Sequence, residues 1–276
     1  MVGKVKIKEA FSGNVLERFA PIFLVVTIGL AFLVGVLWQK VATLEKGRAT
    51  AGTKDTADQA APTPTSISLD KIKELFNNKD LISFGGDDKK VLFVEIADPS
   101  CPYCHVVVGK NPELASQIGE NFKPVSDGGT YLPPVIEMKK LVDEGKASFV
   151  YLYTPGHGNG EMGMKALYCA QEEEKFWEAQ DILMTNAGYS LINEVVKNDK
   201  AQSGKLADFL GAAVDPAKMK SCLESGKYDD RLAEDIAIAQ SLGVGGTPAF
   251  FVNTTNFAGA YSYENMEPVV KDALGN

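Results

Sequence analysis

The chain has 276 residues, 45% of them hydrophobic, with ordinary amounts of Gly and Pro, which excludes fibrous and wholly disordered classes and allows one sizeable core or two small ones. Its formal net charge of −8 is unevenly spread: residues 1–54 hold eight Lys/Arg against three Glu, and the remainder 20 Lys/Arg against 33 Asp/Glu. An acidic main part lacks the basic surface that phosphates require, so no nucleic acid partner is expected.

Residues 19–38 carry no charge, with Pro21 in the first turn and Trp38 at the far edge. At helical rise this run is long enough to cross a bilayer, and an interfacial aromatic suits Trp38. A cleaved signal peptide has an apolar region of only ~7–15 residues. The run therefore reads as an uncleaved signal anchor, with residues 1–18 as a cytoplasmic tail. The charges on its two sides, Lys4, Lys6, Lys8 and Arg18 against Lys40, Lys46 and Arg48, lean only slightly toward that orientation. Four cysteines suit an oxidising compartment, which puts the rest of the chain on the extracytoplasmic side. Residues 39–66 form a linker: Trp38, Val41 and Leu44 continue the helix, then a small, polar, Pro-containing stretch has no periodicity with which to bury a core.

Residues 68–76 predict a short amphipathic helix capped by Ser68, and residues 90–97 a buried strand, apolar on both faces except at Glu95. Directly after it comes Cys101-Pro102-Tyr103-Cys104. A thiolate at a helix N-terminus meets unpaired N–H groups and the positive end of the macrodipole, so its pKa falls. Cys101 then becomes a nucleophile, with Cys104 one turn behind to resolve a mixed disulfide. The same four residues admit other readings. A zinc site needs further ligands, and the chain offers only the isolated Cys169 and Cys222 and two histidines, His105 and His157. With His105 the run satisfies the c-type haem pattern, and a plain structural disulfide is a third reading, weakened by the tight spacing.

Residues 111–133, with Pro124, Gly128-Gly129 and Pro133-Pro134, read as an irregular or inserted piece. A helix follows over 134–144 and a strand over 148–153. A long helical block then occupies 160–184, 205–210, 216–225 and 228–242. Val244-Gly245-Gly246-Thr247-Pro248 breaks it, and strands at 249–253 and 257–261 and a helix over 264–274 close the chain. A C-x-x-C directly after a strand in this α/β order reads as a thioredoxin-like redox motif.

Four segments carry a closer likeness. VEIADPSCPYC, ALYCAQEEEKFWEAQDILM, SLGVGGTPAFFVN and FAGAYSYENMEPVV, in that order from about residue 90 to the end, resemble the DsbA family of thiol:disulfide oxidoreductases. That likeness implies a thioredoxin-like fold over 67–276 with a helical insert at about 157–226. Glutaredoxins share Cys-Pro-Tyr-Cys but lack such an insert, and here 144 residues separate Cys104 from Pro248. A cytochrome would need neither the strand before the motif nor the Gly-Gly-Thr-Pro loop after the insert.

By the resemblance, Cys101 is the exposed nucleophile and Cys104 the buried resolving thiol. Pro102 and Tyr103 tune the pair, and His105 contributes if its ring folds back. Tyr103 cannot supply the charge that a histidine there gives the family's strongest oxidants, so a milder oxidant is expected. Glu95, whose apolar neighbours Val94 and Ile96 suggest burial, corresponds to the family's buried acid and is expected to exchange protons with Cys104. Gly246, Thr247 and Pro248 form the cis-proline loop, where Thr247 backbone pairs with an extended client. Cys169 and Cys222 are expected to form one structural disulfide in the insert, and His157 to shape the loop leading into it. No cofactor is expected. The implied clients are reduced secreted or envelope proteins, and the implied recycling partner is a membrane protein resembling DsbB or a vitamin K epoxide reductase-like protein. Reductase, isomerase and non-catalytic client-binding roles on the same fold are the alternatives.

Overall fold

The computed structural model describes residues 67–275. The expected cytoplasmic tail at 1–18, anchor at 19–38 and linker at 39–66 all lie outside the described residues, and among those described no helix is long and apolar enough to cross a membrane.

In chain order the elements are α1 (Leu69–Asn77), β1 (Ile82–Phe84), β2 (Val91–Ala97), α2 (Pro102–Val108), α3 (Pro112–Ile118), α4 (Pro134–Asp143) and β3 (Ala147–Tyr153). There follow α5 (Glu161–Glu172), α6 (Phe176–Leu183), α7 (Asn186–Ser190), α8 (Ser203–Phe209), α9 (Pro216–Ser225) and α10 (Asp229–Ser241). β4 (Ala249–Val252), β5 (Thr255–Ala258) and α11 (Tyr263–Leu274) complete the fold. The five strands make one sheet in the order β1-β3-β2-β4-β5. β2 and β3 run parallel, and the other three pairings are antiparallel.

Strand side chains alternate faces, and here the alternation divides the core in two. Leu92, Val94 and Ile96 of β2 and Val150 and Leu152 of β3 pack with α1 and the end of α10. Phe93, Ala97, Phe149, Tyr151 and Tyr153 point the other way, toward α2, α4, α11 and the insert. By the same period Glu95 shares that second face, and the parallel register sets it beside Tyr151. A disulfide between Cys169 of α5 and Cys222 of α9 ties two insert helices, with Cα atoms 6.1 Å apart. Asp235 of α10 ties the insert to the sheet: it is fully buried, accepts the Tyr153 N–H at 3.0 Å, and pairs with Arg231 and the Tyr168 hydroxyl.

Three details depart from the sequence reading. β1 was not foreseen, because three residues are too few to display a period. The segment 111–133 is more ordered than an irregular piece: the Asn111 side chain accepts the Leu114 N–H at 3.1 Å and starts α3, and two 3₁₀ turns and a Pro124–Tyr131 bridge follow. The break between α2 and α3 belongs to Gly109, at φ +75°, where a Cβ would lie 2.7 Å from Pro133. Finally, Asn186–Ser190 and the wide π-turn Leu191–Val196 fill a stretch the sequence left unassigned.

Candidate functional site

The site forms where β2 ends. Asp98 closes the strand, its C=O accepts the Cys101 N–H at 2.9 Å, and Cys101 becomes the N-cap of α2 with extended backbone. Pro102 follows at the first helical position, where its missing N–H costs nothing. Cys104 lies one turn on, fully buried, with the Asp98 N–H 3.4 Å from its sulfur. The two thiols are free.

Their surroundings split their acidity. Cys101 is lowered to about 6, first by the hydrogen bond from the Cys104 thiol and then, against an opposing burial penalty, by contacts with Thr247 and the N–H groups of Cys104 and Tyr103. The sequence reading credited the helix end alone; the larger contribution comes from the second cysteine. Cys104 is pushed well above the ordinary thiol range, by burial and then by Cys101. At neutral pH Cys101 is thus the thiolate and Cys104 the thiol.

Cys101 is not the exposed sulfur that the resemblance implied. Only 4% of the residue is accessible, because the 154–157 loop and the cis-proline loop close over it. Its Sγ lies 3.5 Å from the Thr247 carbonyl, and the Thr247–Pro248 peptide bond is cis. The two loops touch at Gly156, where a Cβ would fall 1.9 Å from Thr247 Oγ1 and 3.6 Å from the Cys101 Cβ. A residue that no motif signalled holds the first loop in place. Asp98, fully buried, accepts the Gly156 and His157 N–H groups at 2.7 and 2.9 Å through one oxygen and the Ser100 N–H and hydroxyl at 2.7 Å through the other. An acidic residue at a strand end is ordinarily a surface residue, so only the fold could single it out. His157 thereby shapes its loop through its backbone.

Glu95 lies beneath the thiols on β2. It is fully buried with neither oxygen hydrogen-bonded, and burial raises it to about 8. Its carboxylate, once formed, opposes ionisation of Cys104, Tyr131 and Tyr151. His105 does not fold back toward the thiolate. Its ring is buried, with Nδ1 2.9 Å from the Met184 carbonyl and Nε2 2.9 Å from the Pro99 carbonyl, so it pins the motif loop to the insert. Burial lowers it to about 4, and the neutral ring donates to one of the two carbonyls only. Its expected contribution of charge to the motif is thereby corrected, since both nitrogens are occupied elsewhere.

Tyr103 is 42% exposed and begins an aromatic row. Its ring meets Phe122 at 5.6 Å, Phe122 meets Tyr131 at 5.7 Å, and the Tyr131 hydroxyl donates to the Tyr261 carbonyl at 3.1 Å. A cavity of about 440 Å³ lies against Phe122, Tyr131 and Tyr261. A second, of about 290 Å³, is lined by Gly246, Thr247 and Pro248, and the two share Ala258 and Gly259. An open depression therefore runs from the cis-proline loop to the aromatic row.

This arrangement matches known proteins. Residues 136–272 match the family profile described as Thioredoxin, a span that includes Thr247–Pro248 and both insert cysteines and begins after the Cys101–Cys104 motif. The crystal structure of Wolbachia pipientis α-DsbA1 superposes with a TM-score of 0.53 at 17% identity, covering 74% of this chain and 96% of that one. The chain thus has a thioredoxin-like fold, with the architecture of that structure. The catalytic domain of Proteus mirabilis ScsC likewise superposes on this DsbA-like fold, with a TM-score of 0.51 at 16% identity over 76% of this chain and all of that one. By sequence, the chain is 26% identical over 195 residues to the Na⁺/H⁺ antiporter NhaA 3 of Salinispora tropica, a match covering 70% of this chain. The chain spans only 24–33% of the length of the curated relatives it matches.

Proposed function

We propose that this DsbA-like protein is a thiol:disulfide oxidoreductase that oxidises cysteine pairs in extended segments of other proteins. The observation that carries the reading is the split acidity of one dithiol, Cys101 at about 6 and Cys104 well above the thiol range, next to a cis Thr247–Pro248 backbone. A client thiolate attacks Cys101 Sγ of the oxidised pair, Cys104 leaves as a thiolate and takes a proton, and a second client thiol then displaces Cys101. Client electrons end on the pair, and the client leaves with a new disulfide.

Each site residue has a part in this reading. Cys101 forms the mixed disulfide, Cys104 leaves and resolves, and Glu95, held protonated by burial at neutral pH, is the proton donor to Cys104. Thr247 offers its carbonyl beside Cys101 to a client strand, while Gly246 and Pro248 shape the depression behind it. Tyr103 and the aromatic row supply apolar contact to the client.

The oxidising direction is supported by the lowered Cys101, because a stabilised thiolate makes a more oxidising disulfide. The Cys169–Cys222 disulfide supports an oxidising, extracytoplasmic compartment. Residues 19–38 anchor the protein there, and a quinone-linked membrane protein resembling DsbB or a vitamin K epoxide reductase-like protein reoxidises it. Equilibration of the Cys101–Cys104 pair with glutathione tests the direction. A potential well above about −200 mV is expected, and one near the ~−270 mV of thioredoxin overturns the oxidase assignment.

A further inference from the structure

Beneath the dithiol, a set of buried polar groups leaves its hydrogen-bonding capacity unused. Both Glu95 oxygens, the Tyr151 hydroxyl and both amide atoms of Gln180 are buried without a partner among the described residues. Buried polar groups are rarely left so, and sites of this kind are ordinarily served by ordered water. The three side chains also form a line. Glu95 and Tyr151 are paired neighbours on β2 and β3, projecting from the same face. Tyr151 reaches across to α6, where its ring meets Phe176 edge-on at 5.1 Å. Gln180 stands one helical turn beyond Phe176 on α6, near the Tyr151 hydroxyl but not in hydrogen-bond geometry with it. Gln180 in turn lines a cavity of about 160 Å³ with Val108, Val135 and Trp177. Its rim carries Lys139 and the Lys110–Asp181 ion pair, whose side chains are at the surface.

We propose that Tyr151 and Gln180, with ordered water, form the path by which protons pass between Glu95 and solvent at the Trp177 cavity. The proposal rests on the oxidoreductase reading and completes its proton balance. When a client thiolate breaks the Cys101–Cys104 bond, Cys104 takes the Glu95 proton, leaving a carboxylate in an apolar site. Because burial favours the neutral acid, a proton then enters from solvent, and on reoxidation that proton leaves again so that Glu95 can take up the one Cys104 gives up. A hydroxyl and an amide both donate and accept, so each can hold a water on either side without carrying charge.

Other groups around Glu95 are less suited to this role. Cys104 from α2 is the reacting partner. Tyr131, from the loop before α4, has its hydroxyl proton committed to the Tyr261 carbonyl. The β4 neighbour is Phe250, and Asp98 at the end of β2 has its carboxylate filled by four donors. Tyr153, two residues along β3 with an equally unpartnered hydroxyl, responds to Asp98 and Glu161 and not to Glu95, which makes it a matched control.

The test uses the full chain and the variants Tyr151→Phe, Gln180→Leu and Tyr153→Phe, with Glu95→Gln for reference. Stopped-flow reduction of the oxidised pair by glutathione is followed across pH 5–9, in water and deuterium oxide. Tyr151→Phe and Gln180→Leu are expected to slow the proton-dependent phase on the order of tenfold, below the ~10²–10⁴ typical of a direct acid. The solvent isotope effect should grow, the Cys101 thiolate titration should stay in place, and Tyr153→Phe should leave the phase within twofold. An NMR titration of Glu95 gives a readout apart from turnover, with its midpoint moving upward in Tyr151→Phe and Gln180→Leu as solvation is lost. Unchanged rates and an unchanged Glu95 midpoint in both variants overturn the path, as does an equal effect from Tyr153→Phe. If the parent fails to exchange with glutathione while the midpoint still moves, the path stands and the oxidoreductase reading falls.

Discussion

The molecule holds two cysteine pairs in opposite conditions, and their surroundings explain the difference. Cys101 and Cys104 lie at the junction of β2 and α2, one thiol lowered and the other raised, beside a buried acid. Cys169 and Cys222 join α5 to α9, with a Glu172 oxygen 3.8 Å from the Cys222 sulfur and Glu173 alongside. Both carboxylates are held by lysines, Glu172 by Lys227 and Glu173 by Lys218, and both cysteines lie well inside their helices, away from the kind of helix N-terminus at which Cys101 stands. Reactivity is thus set by the environment of a pair, and exposure is a poor guide: the reactive Cys101 is 4% accessible.

The sharpest way to break this contrast is to remove the nucleophile. Cys101→Ser should abolish disulfide exchange with a reduced model protein, while Cys169→Ala with Cys222→Ala should leave its rate within about twofold. An unchanged rate for Cys101→Ser would favour a client-binding role without chemistry. The double alanine variant should instead lose stability, since a 53-residue span contributes about 4 kcal/mol in the chain-entropy account. Urea unfolding of parent and variant with the Cys101–Cys104 pair reduced checks the difference.

Glu95 gives the next effect, and its sign follows from burial. Its folded value of about 8 exceeds the ordinary 4.5, so between these limits the native protein binds the extra proton. Stability is therefore greatest at the acid end of that window and falls as pH rises toward 8. Glu95→Gln removes the penalty and should raise stability on the order of 3 kcal/mol at pH 7, from ~1.4 kcal/mol per pH unit above 4.5. The variant should flatten the pH dependence between 5 and 8 while slowing exchange. A parent curve already flat across that range would refute the burial account. Gly156→Ala acts on the cover of Cys101: a Cβ 1.9 Å from Thr247 Oγ1 must part the two loops. Faster alkylation of Cys101 by iodoacetamide, with a smaller change at Cys104, is the expected result.

Much of this was legible in the sequence, for reasons that particular residues make plain. The central strands announced themselves because both faces of β2 and β3 are buried, and Cys-Pro-Tyr-Cys marked the site because few arrangements place two sulfurs one turn apart. Thr247–Pro248 and Glu95 needed the family likeness, since neither a proline after two glycines nor an acid in a strand specifies a partner 146 residues away in sequence. Asp98, the cover over Cys101 and the burial of His105 were not legible. Each depends on loops that meet only in the folded chain, with hydrogen bonds made by backbone N–H and C=O groups that every sequence carries. β1 escaped for a simpler reason, being too short to show a period.

Tyr103 offers the smallest and most selective test of the contrast. It is exposed at the first turn of α2, with its ring edge against Phe122 and no side-chain bond to either thiol, while its N–H toward Cys101 is kept in any substitution. Replacing it should therefore disturb the fold little and act on Cys101 through charge alone. Tyr103→His places a cation beside the thiolate at acidic pH and a dipole there at neutral pH. The Cys101 midpoint, read from thiolate absorbance, should fall below about 6, while Cys104, buried behind it, stays high. For the reduced protein the sign follows directly: a lowered Cys101 stabilises that state as pH rises from the folded midpoint toward the ordinary 9, and the gain is lost as pH falls through the midpoint. A drop of about one unit widens that window by one unit. It makes the disulfide about tenfold more oxidising where the thiolate is fully formed, a shift of ~30 mV for a two-electron couple. The potential should move in Tyr103→His and remain fixed when the same substitution is made at Tyr261, which is equally exposed but joins the row through its backbone carbonyl. Equal shifts at both positions would mean that a general surface charge, and not the first turn of α2, governs the pair.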